Sequence, residues 1–105
     1  GRSQYVGTTE WDNERQALKI IVRNRFAVGD WLEVIHPKGN RILQIKHMRG
    51  REQQLVEVAP GDGHIVWMDD AEWSADCAGA FLARLHDTPT AEMISASLSA
   101  TRADK

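Results

Sequence analysis

Turn-forming residues interrupt this chain so often that its first two thirds can hold only short elements. The strongest interruption is Pro60-Gly61-Asp62-Gly63, where a proline that cannot donate to a strand ladder precedes two glycines. Between the turns lie short apolar runs rich in Val, Ile and Trp, which recur roughly every 8 to 12 residues and keep no helical stripe. This pattern predicts strands at about 4–10, 17–24, 31–36, 41–47, 54–59, 64–68 and 79–85.

Alternation of apolar and polar residues within these runs predicts an all-β fold with one buried sheet face. Seven short antiparallel strands close most economically into a small barrel, because closure removes the exposed edges of an open sheet. We therefore predict a closed or nearly closed antiparallel β-barrel of about seven strands, with a β-sandwich as the alternative. In the last strand the predicted inward residues are Phe81, Ala83 and Leu85, and the apolar residues predicted on the outer face are Ile21, Leu55 and Leu82.

The length of 105 residues fits one domain and excludes large or two-lobed enzyme folds. We assign residues 4–85 to the barrel, residues 1–3 to a remnant or linker, and residues 86–105 to a flexible tail that forms at best a weak helix. No apolar run approaches the roughly 18 residues of a membrane helix, and the single cysteine, Cys77, suits a reducing compartment. We therefore expect a cytoplasmic, monomeric piece of a longer protein.

The residue types that usually carry chemistry are present but widely spaced. The possible metal ligands do not form a zinc or iron–sulfur motif: His36, His47, His64, His86 and Cys77. Asp69 and Asp70 are neighbours in an extended segment, where successive side chains point to opposite faces, and this favours a solvated acidic loop. Because there is also no Gly-x-Ser-x-Gly elbow, we predict no catalytic residue, no metal site and no cofactor in this chain.

Charge is distributed unevenly along the chain, although the total is only −2. From Arg15 to Arg51 there are nine basic and two acidic residues, a net charge of +7, whereas residues 52–105 carry −7. A basic surface attracts phosphate, and arginine and tryptophan side chains stack on unpaired bases. The candidate nucleic-acid-binding residues are therefore Arg23, Arg25, Lys38, Arg41, Lys46, Arg49 and Arg51, with Trp31 as a stacking residue. As alternatives, the basic segment docks on the acidic half or on another domain, or it is simply solvated.

Five short segments follow one another along the chain: Gln4–Gly7, Val22–Val34, Pro37–Asn40, Val58–Gly63 and Ala80–Arg84. In this order they resemble the C-terminal domain of peptidase family U32, the collagenase-like proteases. The resemblance covers about residues 4–85 and is strongest to the branch of the family formed by tRNA uridine hydroxylation proteins. Five ordered segments at matching separations are more specific than any one of them.

The resemblance implies a small β-barrel, similar to the second domain of elongation factor Tu and other translation proteins, that follows a larger catalytic domain. In the family that catalytic domain carries cysteines for an iron–sulfur cluster, and this branch forms 5-hydroxyuridine at the wobble position of tRNA. Because Cys77 has no companion cysteine here, the resemblance implies a non-catalytic accessory domain that assists recognition of tRNA or of another substrate. Its implied partners are its own N-terminal catalytic domain and tRNA.

A docking module is the alternative function that the residues themselves suggest. Outward apolar side chains at Ile21, Leu55 and Leu82 would form a contact with another protein or domain. We expect no peptide cleavage by this chain alone, because the residues for it are absent from the sequence.

Overall fold

A computed structural model describes residues 2–103 of the chain, and the side chains of residues 2–97. Eight strands, one 3-10 turn and one helix follow one another. They are β1 (Ser3–Asp12), β2 (Ala17–Val22), β3 (Phe26–Ala27), β4 (Trp31–Ile35), β5 (Arg41–Gln44), β6 (Val58–Ala59), β7 (Ile65–Met68), the 3-10 turn Ala75–Cys77, β8 (Phe81–Leu85) and α1 (Ala91–Ala103). Gly1, Asp104 and Lys105 lie outside the described residues, so the ends of the predicted linker and tail do as well.

Six of the strands form one strongly curled antiparallel sheet in the order β5-β4-β8-β1-β2-β7. The two short strands β3 and β6 pair separately. Beyond β5 the chain reaches the other edge of the sheet at one bridge, where Arg49 and Trp67 exchange two backbone hydrogen bonds of 2.9 Å. Among the described residues, this bridge and no continuous ladder joins that segment to β7.

The predicted all-β body is therefore confirmed, whereas a closed barrel of seven strands is not. The predicted strand at 54–59 is reduced to the two residues of β6. Residues 50–54 form a tight turn, with hydrogen bonds of Gly50 to Gln53 and Gln54, so that Leu55 meets Arg49 in an isolated bridge and starts no ladder. Strand β3, which pairs with β6, was not predicted, since two residues are too few to show an alternation.

The core lies inside the curl of the sheet. Leu18, Ile20 and Val22 of β2 are fully buried there, as the alternation predicts. The other large side chains that are fully buried are Phe26, Leu32, Ile45, Met48, Met68, Trp73 and Leu82. Trp73 comes from the acidic loop after β7, and its indole Nε1 donates a hydrogen bond of 3.3 Å to the carbonyl oxygen of Gln44.

The faces of β8 are the reverse of those predicted from the sequence. Leu82 has no exposed surface, whereas 58% of Phe81 is exposed. The reason is the register with β4, in which Leu82 stands opposite Val34, an inward residue. A shift of one residue along a strand moves every side chain to the other face. The outward apolar set predicted for docking therefore loses Leu82, while Leu55 is 66% exposed and Ile21 is half-buried.

Helix α1 occupies the region in which the composition suggested an irregular tail. It begins after Thr90, whose Oγ1 accepts a hydrogen bond of 3.1 Å from the Met93 amide and so caps the first turn. It contacts β5, where the Ile42 amide donates to Ser97 Oγ at 3.1 Å. Ile42 is buried on the outer side of the sheet as a result. Within residues 2–103, no helix is long and apolar enough to cross a membrane.

Candidate nucleic-acid interface

Three of the seven candidate basic residues are paired with carboxylates from one stretch of the chain, residues 69–76, which we call the acidic segment. Arg41 lies 3.7 Å from Asp76, and Lys46 lies 3.1 Å from Glu72. Arg49 Nε lies 3.2 Å from an oxygen of Asp69. The acidic segment comes directly after β7, and the bridge between Arg49 and Trp67 brings it beside the end of β5.

These pairs agree with the alternative in which the basic segment docks on the acidic half of the same chain. The carboxylate of each pair is well exposed, so each pair contributes little to stability, about 0 to 1 kcal/mol. Their main effect is on the electrostatic potential of the surface, because they neutralise part of the positive charge of residues 15–51.

One end of the acidic segment contains a cluster that sequence spacing did not suggest. His47 Nε2 lies 2.6 Å from Asp69 and 3.8 Å from Asp70, so that three possible ligand atoms fall within 4.8 Å of one another. The hydrogen bond from His47 and then that from Arg49 hold the pKa of Asp69 below its usual value. The Arg49 guanidinium also contacts Asp69 and brings a positive charge to this cluster.

The other four basic candidates are exposed, and within the described part of the chain they form no ion pair: Arg23, Arg25, Lys38 and Arg51. Arg23 and Arg25 follow β2 and lie along the turn at 60–63. The Asp62 amide donates to the Arg23 carbonyl oxygen at 3.2 Å. A Cβ built on Gly63 would lie 4.0 Å from Arg23 Nη1, so the guanidinium extends over this glycine.

A groove of about 530 Å³ runs beside the same turn, between residues 50–58 and residues 60–66. Arg51 and His64 line it, together with the apolar side chains of Val56 and Val58. Two carboxylates, Glu52 and Asp62, also lie on its wall. The turn at 60–63 thus lies beside Arg23 and Arg25 on one side and forms part of the groove that Arg51 lines on the other.

Trp31 and Lys38 are not part of this region. Trp31 lines a separate cavity of about 230 Å³ with Ile42, Lys46 and Ile94, on the side that α1 covers. Lys38 lies in the loop between β4 and β5, where its amide donates to His36 Nδ1 at 3.0 Å. The structure therefore does not place the predicted stacking residue beside the arginines of the groove.

Sequence reasoning did not single out Arg15, which holds one wall of the groove in place. Its guanidinium carbon lies 3.7 Å from the centre of the Trp67 ring, and Nη1 donates to the Gly50 carbonyl oxygen at 3.3 Å. Asp12 accepts hydrogen bonds from the Arg15 amide and from Trp67 Nε1, and these lower its pKa. The stacking and the hydrogen bonds together fix the turn at residues 50–51. No short sequence motif predicts these contacts, because they join residues that are far apart in the chain.

Cys77 does not fit the role of a ligand to an iron–sulfur cluster. Such clusters are held by several thiolates, whereas this thiol is single, almost fully buried, and 3.7 Å from the carbonyl oxygen of Glu72. Burial raises the pKa of Cys77 and favours the neutral thiol. The iron–sulfur cluster that the resemblance implies is therefore expected in a different domain of the longer protein.

Known proteins resemble this chain in sequence and in fold. The tRNA hydroxylation protein P of Escherichia coli is 36% identical over 67 residues, which are 64% of this chain and 15% of that protein. The protein of the same name from Haemophilus influenzae is 38% identical over 69 residues, 65% of this chain and again 15% of the relative. The chain thus spans about 15% of the length of these relatives.

Two crystal structures of the C-terminal domain of a Geobacillus thermoleovorans U32 peptidase have the same fold. The selenomethionine form superposes with a TM-score of 0.62 at 19% identity and covers 78% of this chain and 99% of that one. The second gives a TM-score of 0.60 at 17% identity, with 79% and 93% covered. Residues 1–84 match the family described as the peptidase family U32 C-terminal domain. Since this match takes in almost all of the curled sheet, the chain belongs to that family.

Proposed function

We propose that this chain is a non-catalytic accessory domain that helps a tRNA-hydroxylating protein bind its tRNA. The observation that carries the proposal is the group of three exposed arginines near the turn at residues 60–63: Arg51 lines the groove beside this turn, and Arg23 and Arg25 follow β2 along the turn itself. None of the three forms an ion pair among the described side chains. Arginines contact phosphate oxygens and stack on bases, and both interactions suit RNA. The relatives' name, tRNA hydroxylation protein, supplies the class of RNA.

The hydroxylation itself would be carried out by the rest of the polypeptide in such a protein. The matched segment makes up 15% of the relatives, and this chain offers one buried thiol. The strongly curled sheet also supports the small barrel that the resemblance implies, a scaffold able to present loops such as 60–63 to RNA.

A titration of fluorescently labelled tRNA tests the proposal. We expect binding at about 50 mM salt that weakens steeply by about 200 mM, because each phosphate contact releases counterions. The double variant Arg23→Gln, Arg51→Gln should weaken binding and reduce the slope of log affinity against log salt by nearly 2.

The matched control is the double variant Arg41→Gln, Lys46→Gln, which removes the same charge from residues that are already paired with Asp76 and Glu72. It should reduce the affinity less. The proposal fails if the unchanged protein does not bind tRNA at about 50 mM salt, or if the two double variants lose the same affinity.

A further inference from the structure

A row of side chains without charge crosses the outer face of the sheet. Phe81 of β8 stands opposite Ile35 of β4 on one side and Thr8 of β1 on the other. Thr8 in turn stands opposite Ile21 of β2, which stands opposite Ile65 of β7. We call these five residues and the adjacent Tyr5 the outer apolar row. The five residues are continuous over five neighbouring strands, because each is the direct partner of the next, and Tyr5 joins them through its ring contact with Phe81.

The exposed end of the row is aromatic. Phe81 is 58% exposed and Tyr5 44% exposed, and their rings meet edge to face with centroids 6.2 Å apart. Ile35 beside them is 38% exposed. Aromatic residues are enriched, and charged residues depleted, at the centres of protein–protein interfaces. A connected patch of this kind on a soluble domain marks a contact surface.

The chain itself covers a different part of the outer face. Helix α1 lies against β5, where Ile42 is buried and its amide donates to Ser97. The outer apolar row begins one strand further on, at Ile35 of β4, and runs away from the helix toward β7. Among the described residues, no element packs over Phe81 and Tyr5.

We infer that the outer apolar row docks on the folded polypeptide that precedes this domain in the longer proteins of its family. In the curated relatives about 85% of the length lies outside the matched segment, which occupies 15%. The family is defined as a C-terminal domain, so this polypeptide would join just before β1. Strand β1 starts at Ser3, two residues before Tyr5. The segment that connects the two domains would therefore enter this domain next to the outer apolar row. This inference does not depend on RNA binding at the groove.

Thiol labelling tests the inference, because the single natural cysteine is buried. The variant Phe81→Cys is prepared in the 105-residue chain and in a chimera that carries residues 1–84 in place of the matching segment of the Escherichia coli relative. We expect the thiol introduced at position 81 to react at least tenfold more slowly in the chimera, as measured by peptide mass spectrometry. Lys38→Cys, in the loop between β4 and β5, is the control and should react within about twofold in both proteins.

Equal labelling at position 81 in the two proteins would overturn the inference. So would a dimer of the 105-residue chain that sedimentation detects and Phe81→Ser abolishes, because a second copy would then be the occupant. If the first chimera does not fold, the Haemophilus influenzae relative provides a second host for the same comparison. A failure to bind tRNA would leave these outcomes unchanged.

Discussion

At the scale of single residues, Gly7 shows how closely the strands approach one another. It stands opposite Val22 and Leu82, two inward residues, and next to the irregularity in which Val6 has no partner on β8. A Cβ built on Gly7 would lie only 2.2 Å from the carbonyl oxygen of Ile21. Only glycine therefore fits this position, and the reason is space rather than backbone angle.

Gly7→Ala should lower the free energy of unfolding by about 2 to 3 kcal/mol, because the backbone of β2 must move to make room for the methyl group. Gly29→Ala is the matched control. Gly29 has φ +95°, and a Cβ built on it would meet nothing within 4 Å, so only the backbone strain of about 1 to 2 kcal/mol applies. Urea unfolding of the two variants measures the difference. A smaller loss for Gly7→Ala than for Gly29→Ala would contradict the steric explanation.

The carboxylate of Asp69 makes stability depend on acid pH. Its folded pKa lies below the unfolded value because His47 and Arg49 favour the charged form. The contribution is therefore present above the usual carboxyl range and is lost as pH falls through the folded pKa. Asp69→Asn should destabilise the protein by about 1 kcal/mol or less near pH 5 and by almost nothing near pH 2.

Urea unfolding at the two pH values measures the difference between Asp69→Asn and the unchanged protein. Asp87→Asn, an exposed carboxylate with no ion pair in the described residues, should show little effect at either pH. A destabilisation by Asp69→Asn that grows toward low pH would have the wrong sign and would exclude this explanation.

At the scale of elements, the acidic segment and residues 41–49, which comprise β5 and the five residues after it, are held together as one unit. Asp69, Glu72 and Asp76 face Arg49, Lys46 and Arg41 in three ion pairs. Charge counting along the sequence identified both halves of this unit but not their pairing. The pairing depends on the bridge between Arg49 and Trp67, which joins residues 18 positions apart in the sequence.

Freeing one of these cations should strengthen binding to tRNA, if the domain binds it as proposed. Glu72→Gln releases Lys46, and we expect a higher affinity and a salt slope steeper by about 0.7 to 0.9. Asp87→Asn changes the net charge by the same amount at a residue outside the ion pairs, so it should have a smaller effect. Fluorescence titration of the same tRNA at several salt concentrations gives both quantities. Equal gains in the two variants would show that net charge alone is responsible.

At the scale of the whole molecule, local patterns predicted the strands better than the arrangement of their faces. Alternation identified the buried face of β2 correctly, because Leu18, Ile20 and Val22 all lie in one run. It failed in β8, where Phe81, Leu82 and Ala83 are all apolar, so only the register with β4 decides which side is buried. The helix α1 was weakly indicated, because its contact with β5 joins segments 55 residues apart.

The candidate site shows the same division between what is local and what is distant. The sequence correctly marked a basic half and an acidic half. It could not show that Arg41, Lys46 and Arg49 meet carboxylates. Nor could it show that the arginines beside the turn at 60–63 and the groove meet none among the described side chains: Arg23, Arg25 and Arg51. The outer apolar row could not be predicted either, since its members come from five different strands and become neighbours only after the strands pair.

The isolated bridge between Arg49 and Trp67 is the point at which the wall of the curled sheet has the least backbone pairing. Ladders of four to six paired positions hold β1 to β2 and β2 to β7. Here the backbone pairing consists of two hydrogen bonds, and side-chain contacts such as Arg49 with Asp69 and Arg15 with Gly50 supply the rest. Backbone pairing is therefore weakest at this point of the wall, and we expect the amides of Arg49 and Trp67 to exchange with solvent faster than those within the ladders.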